Sequence, residues 1–311
     1  MNLTNSTSGL NQAQTDAVTS DAQHLLVLAG AGSGKTRVLT TRIAWCCQEH
    51  GLSPWGILAV TFTNKAAAEM RHRLETLLGM PTQALWVGTF HGLAHRFLRA
   101  HWAEAGLPQN FQILDSDDQV RLLKRVIREL ELDEDKWPAR QAAWFISSQK
   151  DEGRRPQHIQ HNGDLFLSTM TRIYQHYEEA CARGGMLDFA ELLLRSHELW
   201  LKEPRLLLHY QSRFRHILVD EFQDTNSVQY AWLRLLAGKE GMLTVVGDDD
   251  QSIYGWRGAK IENIREFQRD YPDADVIRLE QNYRSTGTIL AAANAVIAQN
   301  SDRLGKELWT D

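Results

Sequence analysis

The sequence predicts an α/β fold: a parallel sheet with helices on both faces, interrupted by an inserted all-α domain. Three observations carry this. Apolar runs of four or five residues recur along the chain and alternate with stretches of helical period. One of these runs leads directly into a glycine-rich loop and then a helix. Between positions 90 and 213 the apolar runs cease and only amphipathic helical patterns remain. A length of 311 residues suggests about two domains, and 43% hydrophobic residues can fill two cores.

The first predicted strand is 25–28, followed by a loop and a helix beginning near Arg37. The second, 57–61, precedes a helix over 65–78, with Asn64 able to cap its start and Gly79 its end. A third strand covers 85–89. In the helical stretch, Ser116 and Gln119 have the spacing of a capping box. Val120, Leu123, Val126, Ile127 and Leu130 then fall on one helix face. A polar loop is expected near 147–163, and Trp137, Trp144 and Trp200 are expected in the core because of their helical spacing. Strands resume at 217–220, 243–246 and 276–279. From about Gln281 a further unit begins, with a helix over 289–297, and the chain stops at Asp311 without room to complete it. The expected layout is a nucleotide-binding domain of 1–89 and 215–280, a helical insertion of 90–214, and the opening of another domain at 281–311.

Composition excludes several classes. Net charge is −5, so any nucleic-acid contact must come from local patches and stacking groups rather than a basic domain. No apolar run approaches the roughly 20 residues that span a bilayer, and the polar start, Met1 to Gly9, lacks the apolar core of a signal peptide. Cys46, Cys47 and Cys181 make no disulfide framework, so a reducing cytoplasm is the expected compartment. His91 and His95 lie one helical turn apart, but with no suitable acid and no third ligand they do not read as a zinc site. Asp248, Asp249 and Asp250 read as a turn after a strand rather than as a metal cluster.

Chemistry concentrates first in Ala29-Gly30-Ala31-Gly32-Ser33-Gly34-Lys35-Thr36. A strand, a glycine loop and a helix in this order form a phosphate-binding loop. The glycines let the backbone curl so that N–H groups face phosphate oxygens, and the helix N-terminus adds partial positive charge. Lys35 is expected to reach the β- and γ-phosphates of a nucleoside triphosphate, and the Thr36 hydroxyl to ligate magnesium. Ala29 stands where the general pattern has its first glycine. The second site is Ile217-Leu218-Val219-Asp220-Glu221, an apolar strand ending in two carboxylates at the sheet edge. Asp220 is placed to hold magnesium and Glu221 to take a proton from attacking water, so hydrolysis of ATP with Mg2+ is expected.

Four further segments follow in order: Ala59-Val60-Thr61-Phe62-Thr63-Asn64-Lys65-Ala66-Ala67; Val87-Gly88-Thr89-Phe90-His91-Gly92; Gly247 through Gly258; and Leu279-Glu280-Gln281-Asn282-Tyr283-Arg284-Ser285. With the two ATP motifs they closely resemble superfamily 1 DNA helicases of the UvrD/Rep/PcrA group, from about Leu10 to the last residue. The resemblance implies a RecA-like P-loop NTPase core. It matches Gln14 to the glutamine that reads adenine, and Arg37 and Tyr283 to the pair that sandwiches the ring. Arg284 matches an arginine that reaches the γ-phosphate, and Gln251 the glutamine that senses that phosphate and links it to DNA. Trp256, on a loop bounded by Gly255 and Gly258, suits stacking on an unpaired base, with Tyr254 and Arg257 beside it. Phe62, Asn64, Thr89 and His91 match further DNA contacts.

The reading is an ATP-driven 3′–5′ motor on single-stranded DNA and its junctions with duplex. It would work in DNA repair, with repair proteins as partners, in the cytoplasm at the nucleoid and not at a membrane. Because only the opening of the second motor domain is present, this chain alone is expected to bind ATP weakly, hydrolyse it poorly and not unwind. Three other readings stand beside it: the motor of a helicase–nuclease, a truncated ATP- and DNA-binding module without turnover, and a small-molecule kinase.

Overall fold

The strands in chain order are β1 (His24–Ala29), β2 (Ile57–Thr61), β3 (Trp86–Thr89), β4 (Gln112–Ile113), β5 (Met186–Leu187), β6 (His216–Val219), β7 (Met242–Gly247) and β8 (Asp275–Leu279). The computed structural model describes residues 7–300 and 303–311. Residues 1–6, which make up most of the polar N-terminal stretch, and 301–302 lie outside the described residues. The helices are α1 (Gln12–Thr19), α2 (Lys35–Glu49), α3 (Asn64–Leu78), α4 (Phe90–Ala100), α5 (Ser116–Glu129) and α6 (Ala139–Asp151). They continue with α7 (Leu165–Gly184), α8 (Phe189–Lys202), α9 (Pro204–Arg213), α10 (Ser227–Ala237), α11 (Glu262–Asp270) and α12 (Gly287–Ile297).

The chain divides into two compact units. A sheet unit comprises 1–90, 205–225 and 233–311, and a helical unit comprises 91–204 and 226–232. In the sheet unit six strands run parallel in the order β3-β2-β6-β7-β1-β8. The inner strands are buried along nearly their whole length, as in β2 and β6, because helices cover both faces. That is why they read as unbroken apolar runs. The edge strand β8 is instead mostly exposed and carries Asp275 and Arg278, charges that discourage further pairing. This is the RecA-like P-loop fold, and β6, β7 and β1 are adjacent, so the three loops at their carboxyl ends meet at one edge.

Buried polar groups lock the sheet unit. Arg42, wholly buried on α2, donates from Nη1 to the carbonyls of Ala17, Val18 and Ser20 and from Nε to Thr244 Oγ1. It thereby satisfies the last carbonyls of α1, which lack intrahelical partners.

The helical unit packs α5, α6 and α7 around Leu123, Ile127, Ala142, Ile146, Ile173, Tyr174 and Tyr177. Beside this core lies an ion cluster. Lys150 Nζ meets Asp188 at 2.8 Å and Glu191 at 2.9 Å, and Arg155 binds Glu178, Glu191 and Glu198.

Several local expectations are corrected. The N-cap of α3 is Thr63, whose side chain accepts from Ala66 N, while Asn64 is the first helical residue. The N-cap of α5 is Asp115, accepting from Asp118 N, so no Ser116–Gln119 box forms. Gln119 is turned inward toward Asp188 instead. The helical stretch contains one two-residue pairing, β4 with β5. The loop expected from 147 starts later, because α6 runs to Asp151. Trp200 is buried as expected, but Trp144 is 66% exposed. Helical spacing alone does not say which face of α6 meets the core.

Candidate functional site

The phosphate loop joins β1 to α2, with Gly32 at φ 69° and Gly34 at φ 87°. L side chains rarely adopt these values, so glycine is required at both. Gly34 is also the N-cap of α2, which places Lys35 and Thr36 in the first helical turn. Ser33 Oγ closes the loop on itself by donating to the Gly30 carbonyl at 2.7 Å.

Strand β6 delivers the carboxylates to the same edge. Lys35 Nζ lies 3.4 Å from Glu221 Oε2, and Thr36 Oγ1 donates to Asp220 Oδ2 at 3.2 Å. Glu221 holds φ 53°, a conformation unusual for a side-chain-bearing residue and of a kind that clusters at functional sites. Asp220 is buried, and its carboxyl is pushed up to about 6. Burial is the main cause and the neighbouring Glu221 charge adds to it, while Lys35 acts in the opposite direction. A cation between Asp220 and Thr36 would relieve that penalty, so the pair fits a magnesium ion.

A cleft of ≈ 270 Å³ opens here, and Lys35, Thr36, Glu221, Gln251 and Arg284 all line it. Residues from four separate motifs thus face one cavity. Glu69 and Arg73 of α3 line it too, and nothing in their helical spacing sets them apart from other surface charges. Gln223 was missed for a different reason. It lies two residues after Glu221, yet only the fold shows its side chain bridging Glu221 Oε2 and the backbone N–H of Asp248, both at 2.9 Å.

After β7, Asp249–Gln251 form a short 3-10 turn that Asp248 caps by accepting from Asp250 N. The three aspartates are the only cluster among the described residues with metal-ligand geometry, but Lys306 Nζ sits among them at 2.6, 2.5 and 2.9 Å. A lysine therefore supplies the positive charge. Gln251 Nε2 donates to Asp248 Oδ2, which holds the glutamine at the cleft. Three residues further, Tyr254, Trp256 and Arg257 make an exposed group: Trp256 is 69% exposed and the Arg257 guanidinium lies 4.7 Å from its ring centre.

The adenine-side residues are disposed differently. Tyr283 and Arg37 are exposed, whereas Gln14 is 2% exposed with both amide ends engaged. Its Nε2 donates to the Ser33 carbonyl and its Oε1 accepts from Asn11 N. Gln14 therefore braces the phosphate loop, and reading an adenine edge would require exchanging these bonds. Phe62, half-buried at the end of β2, packs edge-on against Phe90, and Thr89 ends β3. Exposed Asn64 begins α3. His91 belongs to the helical unit, packs against Phe189, and is pushed down to about 4 by burial. His95 accepts from Arg99 Nε at 2.9 Å.

Comparison with known proteins gives the family. Residues 10–272 match the family model described as the UvrD/REP helicase N-terminal domain, and the chain belongs to that family. It is 64% identical to DNA helicase II of Escherichia coli (strain K12) over 97% of its own length. It is 56% identical to DNA helicase II of Haemophilus influenzae, and 46% identical to the ATP-dependent DNA helicase PcrA of Leuconostoc citreum, over its whole length. The chain spans 42 to 43% of the length of these three relatives.

Proposed function

We propose that this chain is the ATP-hydrolysing and DNA-gripping part of a 3′–5′ DNA helicase that moves on single-stranded DNA and opens its junctions with duplex in DNA repair. The observation that carries the reading is the single cleft into which Lys35, Glu221, Gln251 and Arg284 open. Gln251 begins the loop that ends in the exposed Trp256.

Each residue then has a task that its position suits. Loop N–H groups and Lys35 hold the β- and γ-phosphates. Magnesium, held by Thr36 and Asp220, would neutralise phosphate charge. Glu221, fixed by Gln223 and Lys35, accepts the proton of the attacking water. Arg284 meets the charge that develops on the γ-phosphate. Tyr283 and Arg37 offer an aromatic face and a guanidinium plane to adenine. On the DNA side, Trp256 stacks on a base, with Tyr254, Arg257, Phe62, Asn64, Thr89 and His91 along the strand path.

The test is affinity for oligo(dT) and for a fluorescent ATP analogue in the chain and its Trp256→Ala variant. Loss of one stacking platform worth about 1–3 kcal/mol should weaken DNA binding roughly 5- to 150-fold and leave nucleotide affinity within about twofold. Equal loss of both would contradict the assignment of Trp256 to DNA. Turnover with and without oligo(dT), on this chain and on a longer protein that contains it, separates a motor from a small-molecule kinase, whose rate ignores DNA.

A further inference from the structure

The geometry points to Asn282 as the positioning residue that fixes where Arg284 stands over the phosphate loop. The inference rests on the reading of that loop as a triphosphate site. Asn282 is 2% exposed. Its Nδ2 donates to the Ala31 carbonyl at 2.5 Å, while its Oδ1 accepts from the backbone N–H of Arg284 at 2.8 Å and of Ser285 at 2.7 Å. The amide orientation is forced, since two donors face one end and a carbonyl faces the other.

The neighbouring bonds extend the same construction. Tyr283 N donates to the Gly32 carbonyl at 3.0 Å and Gln14 Nε2 to the Ser33 carbonyl at 2.8 Å. With Ser33 Oγ on the Gly30 carbonyl, four consecutive carbonyls of the loop are each held by a donor. Fixing the carbonyls fixes the peptide planes, and so the direction of the N–H groups that a phosphate would meet. Two of those four donors belong to Asn282 and Tyr283, the residues immediately before Arg284.

Close packing leaves the junction no play. A Cβ added at Gly32 would lie 2.7 Å from Asn282 Nδ2 and 2.8 Å from the Arg284 Cβ. The root of Arg284 therefore rests on the loop itself, while its exposed side chain reaches into the cleft. A cation whose base is registered to the phosphate cradle needs little reorganisation when charge develops at the γ-position. A residue that only filled space here would support diphosphate and triphosphate binding alike. Asn282, acting through Arg284, should matter for the triphosphate more.

The experiment measures the affinities of the intact chain for fluorescent ADP and for a non-hydrolysable ATP analogue, both with Mg2+. The ratio of the two is compared in wild type, Asn282→Ala, Asn282→Asp, Arg284→Ala and the Asn282→Ala/Arg284→Ala double variant, each checked for a cooperative thermal transition. Asn282→Asp keeps the acceptor for Arg284 and Ser285 but sets a carboxylate against the Ala31 carbonyl, so it breaks the link with little change in shape. The expected result is a preference for the triphosphate that falls at least fivefold in both Asn282 variants and no further in the double variant than in Arg284→Ala alone. A parallel loss of ADP and analogue with the ratio unchanged, or additive effects in the double variant, would overturn the inference. A wild-type chain that binds neither nucleotide, or an Arg284→Ala variant with an unchanged ratio, would instead contradict the triphosphate site itself.

Discussion

Lys35 and Glu221 face each other at 3.4 Å, and this pair joins the loop after β1 to the carboxylates after β6. Its members should fail differently. Lys35→Ala removes the cation expected on the β- and γ-phosphates, so ATP-analogue affinity should fall tenfold or more by fluorescence titration. Glu221→Gln keeps a hydrogen-bonding group of the same shape and loses the base. Nucleotide binding should persist while the hydrolysis rate falls by roughly 100-fold or more. Retained turnover in Glu221→Gln would remove Glu221 from the role of proton acceptor.

At the scale of elements, an ion cluster ties α6, α7 and α8 together in the helical unit. Lys150 on α6 is buried, and the charges of Asp188, Glu191 and Glu178 hold its ammonium well above the ordinary lysine range despite burial. Lys150→Met would leave Asp188 buried without a cation, while Arg155 still pairs Glu178 and Glu191, and the change should cost about 3–5 kcal/mol. Chemical denaturation should show that loss, and a variant within about 1 kcal/mol of wild type would show the cluster to be dispensable. The strands and the phosphate loop were legible because a doubly covered parallel strand leaves an unbroken apolar run, and a strand–glycine loop–helix leaves a fixed motif. Asn64, Ser116 and Trp144 misled because caps and faces depend on tertiary packing, which shifts a helix start by one residue or turns a face outward. Gln223, Asn282 and Lys306 act through partners 25, 251 and 57 positions away, distances that no local pattern encodes.

Across the whole molecule, the chain passes between its two units four times, and the third crossing, at Thr225 to Asn226, follows four residues after Glu221. Within the helical unit Asn226 Nδ2 donates to Asp151 Oδ1 at 2.8 Å. Burial, aided by the charges of Asp188 and Glu152, pushes the Asp151 carboxyl up to about 7. Between pH 4 and 7 the folded chain therefore keeps a proton that the unfolded chain has released. This group's contribution to stability is thus lost as pH rises through that window. Asp151→Asn should remove that slope and be more stable than wild type at pH 8 by about 1 kcal/mol or more. A variant less stable than wild type at pH 8 would contradict the shift.

The proposed function requires the triphosphate cleft and the Trp256 loop to be coupled through Gln251. Binding free energies are reciprocal, so a nucleotide that biases the loop must change DNA affinity by the same factor that DNA changes nucleotide affinity. The most direct measurement is oligo(dT) affinity with and without a saturating non-hydrolysable ATP analogue, in wild type and in Gln251→Ala. The expected result is a several-fold change in wild type that disappears in the variant while each ligand still binds alone. An undiminished change in Gln251→Ala, or none in wild type, would rule out coupling through Gln251.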